Sequence, residues 1–234
     1  MTGFIHYQFK SYIRSLKIIP PLTVFTGWVI ILYIYKGLPI LSSYAITSIV
    51  LYLVMTWVVI GVFSIEEEAE KYILFVQLGS KYRFLWGKWA VCIMIAFVLS
   101  LYAIIYPVLM NNFKGPIMTI HIALSFYSHI FLALFGILVG SFFSVTSLAS
   151  KKYSWLLAML VMVLSISYER IVEKAVIFKW LFILFPPIVN VTKYLSRDDT
   201  IHIGRDFWVY SGLAFVYMVV CMIVVVKMFL RKEK

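Results

Sequence analysis

The sequence predicts an all-α polytopic membrane protein, a single transmembrane domain over residues 1–234 with six spanning helices. The chain is 63% hydrophobic and 13% charged, with a mean hydropathy of +0.98, a composition typical of multi-pass membrane proteins. Uncharged apolar stretches recur along it, several longer than the about 20 residues that cross a bilayer. All ten acidic residues lie outside the predicted spans.

The N-terminal residues 4–17 form an amphipathic segment. Apolar residues recur at helical spacing on one face (Ile5, Phe9, Tyr12, Ile13, Leu16), and basic residues occupy another. This pattern is typical of a helix lying in the membrane interface. Pro20 and Pro21 then stand at a helix start, where a missing N–H costs little. We therefore predict a first span over residues 18–35, ending at Lys36.

Five further spans are predicted downstream, at residues 44–65, 85–110, 117–150, 153–168 and 207–226. Lys88 is expected to extend its ammonium group from the start of the third span to the headgroups. In the fourth span, Gly136, Gly140 and Ser144 form a stripe of small residues that lets another helix approach closely. The sequence leaves open whether that helix belongs to this chain or to a second subunit.

Residues 175–191 are apolar but contain Lys179 and the pair Pro186-Pro187. Irregular backbone at membrane depth requires shielding from lipid, so we predict an extracytoplasmic re-entrant segment here rather than a seventh span. The positive-inside rule agrees, because a seventh span would place the basic C-terminal tail outside.

Orientation follows from basic residues in the short flanks of the spans. With both termini cytoplasmic, the first two outer loops hold only Lys36 and Lys114. The inner segments then hold Lys10, Arg14, Lys17, Lys71, Lys81, Arg83, Lys88, Lys151, Lys152, Lys227, Arg231, Lys232 and Lys234. This bias predicts a multi-pass protein of the cell membrane with both termini in the cytoplasm.

Between the second and third spans lies a strongly charged, helix-like block, residues 66–79. Ser64 and Glu67 have the spacing of a capping box at a helix start. Glu67 and Lys71 form a favourable i,i+4 pair, and Gly79 is suited to end the helix. We predict a short cytoplasmic helix between two spanning helices.

This short helix has more apolar surface than one membrane interface requires. Ile65, Ala69, Tyr72, Ile73 and Val76 share one face, whereas Leu74, Phe75 and Leu78 lie partly elsewhere. We expect a protein partner to cover the remaining surface, with Leu74 and Phe75 as the anchors of that interface. A helix lying on the headgroups without a partner is the alternative.

Several function classes are disfavoured by what the spans lack. Ion-coupled carriers generally need an ionisable group inside the membrane, and the predicted spans contain no carboxylate. The segment Gly87-Lys88-Trp89 lacks the other residues of a phosphate-binding loop. Cys92 and Cys221 lie in apolar spans and indicate neither a disulfide nor a metal pair. The net charge of +11 comes from residues at span ends, which favours anionic headgroups over nucleic acid as the partner.

The arrangement resembles the permeases of the type-2 exporter class of ATP-binding-cassette (ABC) transporters. The resemblance covers most of the chain by architecture and includes the acidic-then-basic helix that ends Gly79-Ser80-Lys81-x-Arg83-x-x-x-x-Lys88. It implies an ATPase-coupling helix whose residues would be Glu66, Glu67, Glu70, Lys71, Leu74, Phe75, Leu78, Gly79 and Arg83.

The resemblance also implies partners. ATP and Mg²⁺ would bind a separate ATPase subunit, with no cofactor in this chain, and a second permease subunit would complete the pathway as a homodimer or heterodimer. Small size, many aromatic residues and the absence of a large outer domain resemble permeases that move hydrophobic or cationic peptides in Gram-positive bacteria.

Two alternatives remain open on the sequence. Glu66-Glu67-x-x-x-Lys71 has a faint likeness to the signature of CAAX-type intramembrane proteases, with His121 or His129 as a conceivable partner, but lysine replaces the arginine of that signature. A lipid or antimicrobial-resistance membrane protein without an ATPase is the other. We expect both histidines to serve as helix–helix hydrogen-bonding groups.

Overall fold

The computed structural model describes residues 1–146, 153–174, 185–195 and 204–232, and within these ranges the secondary structure is α-helical with no β-strand. The helices are α1 (Thr2–Arg14), α2 (Ile19–Leu32), α3 (Ile40–Phe63), α4 (Glu68–Leu78), α5 (Lys81–Leu109), α6 (Thr119–Val145), α7 (Ser154–Ile166), α8 (Tyr168–Lys174), α9 (Ile188–Thr192) and α10 (Arg205–Lys232).

Four of these helices, α3, α5, α6 and α10, are long and apolar enough to cross a membrane. A fifth candidate arises if α1 and α2, which meet at 78°, are counted together. The all-α multi-pass class is therefore confirmed, whereas the count of six spans stays a prediction. The predicted spans 18–35 and 153–168 correspond to helices of 14 and 13 residues, about 20 Å long, which is short of a 30 Å hydrocarbon layer.

The bundle is built around the contact between α3 and α6. A Cβ added at Gly136 would lie 2.6 Å from the carbonyl oxygen of Tyr52, and one at Gly140 would lie 2.8 Å from that of Thr56. Thr56 Oγ1 also donates to the Gly136 carbonyl at 3.2 Å, while Ser144 donates back to Gly140 within α6. The glycines of the small-residue stripe therefore pack inside this chain, which answers the question left open by the sequence.

Helix α1 and the C-terminal part of α10 meet at one end of the bundle. The ring of Phe84, near the start of α5, lies 5.5 Å from the ring of Phe4 and 6.3 Å from the ring of Phe229, measured between centroids. Because α4 connects α3 to α5 at this position, we call it the α4 end.

At the opposite end, the α2–α3 and α5–α6 loops pair with each other. Leu38 N–H donates to the Asn112 carbonyl at 3.1 Å, and Lys114 N–H donates to the Leu38 carbonyl at 3.0 Å. The Asn112 amide donates to the Tyr33 carbonyl at 2.8 Å. These bonds fix the ends of α2 and α5 that lie away from α4 against each other.

The segment before α10 is described in part. Ile188 and Val191 of α9 are buried in one cluster with Phe135 of α6 and Ala214 of α10. Of the predicted re-entrant segment, residues 175–184 lie outside the described residues, as do residues 147–150 of the predicted fourth span.

Candidate functional site

The helix α4 is the candidate functional site, and its boundaries follow from local chemistry. Gly79 adopts φ 65, the left-handed conformation that favours glycine, and so ends α4 as predicted. The predicted capping box is wrong: Glu67 is the N-cap, and no side chain caps this helix. Ser64 Oγ instead donates to the Gly61 carbonyl and accepts a bond from Lys17 Nζ. The acidic first turn, which contains Glu68 and Glu70, complements the positive end of the helix dipole.

One side of α4 is built into the chain's own core. Leu74 is 9% exposed and Phe75 is 7% exposed. The Phe75 ring lies 4.9 Å from Phe84 and 6.0 Å from Phe229, in edge-on contact with both. The expectation that Leu74 and Phe75 anchor a partner is therefore wrong, because both side chains are buried within this chain, with Phe75 packed against α5 and α10.

The opposite side of α4 is open. Tyr72, Ile73 and Val76 are 55%, 58% and 83% exposed. With the exposed Ala69 they stand at positions i, i+3, i+4 and i+7, which form one stripe of a helix. We call these four residues the apolar stripe of α4.

Charged groups border the apolar stripe. Glu67 and Glu68 are exposed at the N-terminal end of α4. Lys71 lies over the rings of Phe75 and Phe229, at 5.5 and 5.6 Å from their centroids. The two carboxylates make the N-terminal part of this surface acidic.

The C-terminal end of α4 is tied directly to α5. Arg83 is exposed and donates to the Leu78 carbonyl at 3.2 Å. Leu78 itself is half-buried beside Gly79. The turn between the two helices is therefore held by a side chain of the helix that follows it.

A buried ion pair fixes the start of the site. Lys88 Nζ lies 2.5 Å from Glu66 Oε2, with the two side chains 1% and 2% exposed. The ammonium also donates to the Val62 carbonyl at 2.7 Å, and Gln8 donates to the other oxygen of Glu66. Lys88 does not reach the headgroups as the sequence suggested; it faces inward and joins α5 to the end of α3.

The N-terminal helix α1 packs across the α4 end and bonds to α4. Tyr7 donates to the Glu70 carboxylate, and this bond raises the pKa of Tyr7 to about 12. The ring of Phe4 occupies the space that a side chain at Gly87 would need. Between α1 and α4 runs a groove of about 580 Å³ bordered by Tyr7 and Ile73.

The sequence did not indicate the roles of Tyr7, Gln8 and Lys88. The one local signal was the presence of polar residues within apolar surroundings. Gln8 lies between apolar neighbours on α1, and Lys88 lies between Gly87 and Trp89. Such residues are usually paired when buried, but the sequence does not name the partner.

The two histidines of α6 have ordinary hydrogen bonds and do not meet Glu66. His129 bonds to Thr47 Oγ1 at 3.0 Å across the α3–α6 contact, which confirms a helix–helix role. His121 accepts from the Met118 N–H at the start of its own helix, so the helix–helix expectation holds for His129 and not for His121. Thr47 and Val62 are 15 residues apart on α3, about 22 Å, so His129 lies far from the Glu66 carboxylate. Among the described residues, no group of three His, Cys, Asp or Glu is placed to hold a metal ion.

Comparisons of the chain with protein-family models, with curated proteins and with solved structures gave no match.

Proposed function

We propose that this chain is the membrane permease subunit of an ABC-type exporter, and that α4 is the helix to which a separate ATPase subunit binds. One observation supports the proposal above others: α4 is anchored in the core on one side and presents the apolar stripe on the other. Exposed apolar patches with polar rims are typical of protein interfaces. The anchors of that interface would be Tyr72, Ile73 and Val76, in place of Leu74 and Phe75.

The position of α4 supports the same proposal. It connects two membrane-length helices, α3 and α5, so a partner bound to it contacts both at once. Helix α1 and the C-terminal part of α10 both lie at the α4 end, which fits an even number of crossings between them. Six crossings with cytoplasmic termini satisfy this condition and put α4 in the cytoplasm, beside the basic residues Arg231 and Lys232 of α10.

The remaining parts of the proposal concern partners and substrate. A second permease subunit would complete the pathway, and ATP with Mg²⁺ would bind the ATPase. A hydrophobic or amphipathic substrate, such as a cationic peptide, fits a chain whose described spanning helices carry no carboxylate at mid-membrane depth. Acidic groups on these helices lie at the ends, as Asp206 does on α10.

The test is a double substitution in the apolar stripe. The tagged chain is purified from its native membranes in mild detergent, and the amount of any co-purifying subunit that contains a phosphate-binding loop is measured with its ATP hydrolysis. Ile73→Asp with Val76→Asp should lower the yield of that subunit at least tenfold, because a charge buried without a partner weakens an interface strongly.

A matched control places the same change at the other end of the bundle. Leu109 and Met110 are also exposed apolar residues, at the end of α5 away from α4. Leu109→Asp with Met110→Asp should leave ATPase recovery unchanged. Retention of an active ATPase by the Ile73/Val76 variant, or no phosphate-loop subunit with the wild-type chain, would contradict the proposal.

A further inference from the structure

The corner between α1 and α2 has an unusual exposed surface. Leu16 stands at the corner with φ 59, a left-handed conformation that is uncommon for a leucine, and its side chain is 64% exposed. Ile13 and Ile19 on either side are also exposed. The backbone therefore turns so that three aliphatic side chains face away from the protein at one place.

The side of α1 that contacts the protein is a different one. Phe4, Gln8 and Tyr12 are buried, with Tyr12 against Gly61 of α3. The sequence had assigned the apolar face of this helix to the membrane as a whole. In the structure the Tyr12 side chain packs against α3, whereas the Ile13 side chain is exposed on the outside of the bundle.

Cationic side chains accompany the aliphatic ones. Lys10 and Arg14 are exposed on the side of α1 away from Gln8, as the 3.6-residue repeat requires. The chain contains no acidic residue before Glu66. Glu66 and Glu70, which face α1, are engaged by Gln8 and Tyr7; Gln8 lies opposite the two cations, whereas Tyr7 lies one turn before Lys10 and two turns before Arg14 on α1.

We infer that the corner formed by Lys10, Ile13, Arg14, Leu16 and Ile19 is a binding site for the headgroups of anionic phospholipids. Aliphatic side chains at such a site enter the boundary between headgroups and acyl chains, while the cations meet lipid phosphates. A lipid fits better than a protein because α1 lies at 78° to α2. If α2 follows the membrane normal, α1 lies along the surface.

The site has a consequence for α4. Helix α1 holds both Glu66 and Glu70 through Gln8 and Tyr7, so a lipid that fixes α1 also restrains the start of α4. This consequence rests on the proposed function, whereas the lipid site does not. The experiment therefore uses the permease chain alone, without an ATPase.

The full chain, purified in detergent, is titrated with short-chain phosphatidylglycerol, and the apparent Kd is taken from the rise in thermal midpoint. Each basic residue near an anionic surface contributes on the order of 1 kcal/mol. Lys10→Gln with Arg14→Gln should therefore weaken binding about thirtyfold. A matched pair, Lys36→Gln with Lys114→Gln, removes two exposed cations from the opposite end of the bundle and should leave the Kd unchanged.

Three further measurements distinguish binding of an anionic lipid from binding of other ligands. Phosphatidylcholine should bind far more weakly, and free glycerol phosphate should not shift the midpoint, because it has no acyl chain for Leu16 to contact. Raising the salt concentration should weaken phosphatidylglycerol binding to the wild-type chain, which tests the charge without a substitution. An unchanged Kd in the Lys10/Arg14 variant, equal binding of phosphatidylcholine, or equal binding of glycerol phosphate would overturn the inference.

Discussion

Replacing Lys88 by methionine tests the buried ion pair at the start of α4. Methionine has a similar length and is apolar, so it fills the same space without the charge. The change removes the contact with Glu66 and the bond to the Val62 carbonyl at 2.7 Å. It leaves the Glu66 carboxylate, whose side chain is 2% exposed, with Gln8 as its remaining partner in that cluster.

The expected cost is large because the remaining charge is buried. Breaking a buried pair by removing one partner destabilises by about 3–5 kcal/mol. We expect a value near the lower limit, about 3 kcal/mol, because Glu66 lies in the loop before α4 and Gln8 still donates to it. Glu66→Gln combined with Lys88→Met removes both charges and should recover most of the loss.

The measurement is reversible unfolding in mixed micelles with a rising fraction of denaturing detergent, followed by tryptophan fluorescence. Lys114→Met is the control, because the Lys114 side chain is an exposed cation at the opposite end of the bundle and its removal should cost about 0.5 kcal/mol or less. If Lys88→Met unfolds within about 1 kcal/mol of wild type, or if the double variant is no more stable than the single one, the pair does not restrain this junction as argued.

Two further predictions concern packing and topology. Gly136→Ala should destabilise the chain by about 1–3 kcal/mol in the same unfolding assay, because its Cβ would overlap the backbone of α3. Gly212→Ala, which meets nothing within 4 Å, should not destabilise it; equal losses would refute the close α3–α6 contact. In intact cells of a Cys221→Ser background, cysteine at the exposed Lys114 should react with an impermeant reagent and cysteine at the exposed Gln77 should not. The reverse pattern would invert the proposed orientation.

Membrane-length helices were predictable because their signal is local. An apolar run long enough to cross the bilayer predicts a helix by itself, and the predicted spans 44–65 and 85–110, the second of which is uncharged after Lys88, agree with α3 and α5 to within a few residues. Gly79 was predictable for the same reason, since a glycine after a helical pattern provides the left-handed conformation that ends it.

The exposed face of α4 was not predictable from its own residues. All of Tyr72, Ile73, Leu74, Phe75 and Val76 are apolar, so helical periodicity alone leaves two candidate faces. The choice depends on Phe84 and on Phe229, and Phe229 lies more than 150 residues away in sequence. The inward direction of Lys88 is likewise set by distant residues, because its partners are Glu66 and the Val62 carbonyl on the preceding part of the chain.

The attachments of α4 suggest how the proposed function would operate. On its buried side, Phe75 packs against Phe84 of α5 and Phe229 of α10. In its N-terminal half, Glu70 accepts a hydrogen bond from Tyr7 of α1. The α3–α6 contact, in contrast, is formed around Gly136, Gly140 and Thr56, and α4 contributes no residue to it. Under the proposed function, a force on the apolar stripe would therefore act directly on α1, α5 and α10, and would reach the end of α3 through the Glu66–Lys88 pair. Because α5 is tied to α3 by that pair, interhelical motion driven by the ATPase would be greatest where α10 meets α6.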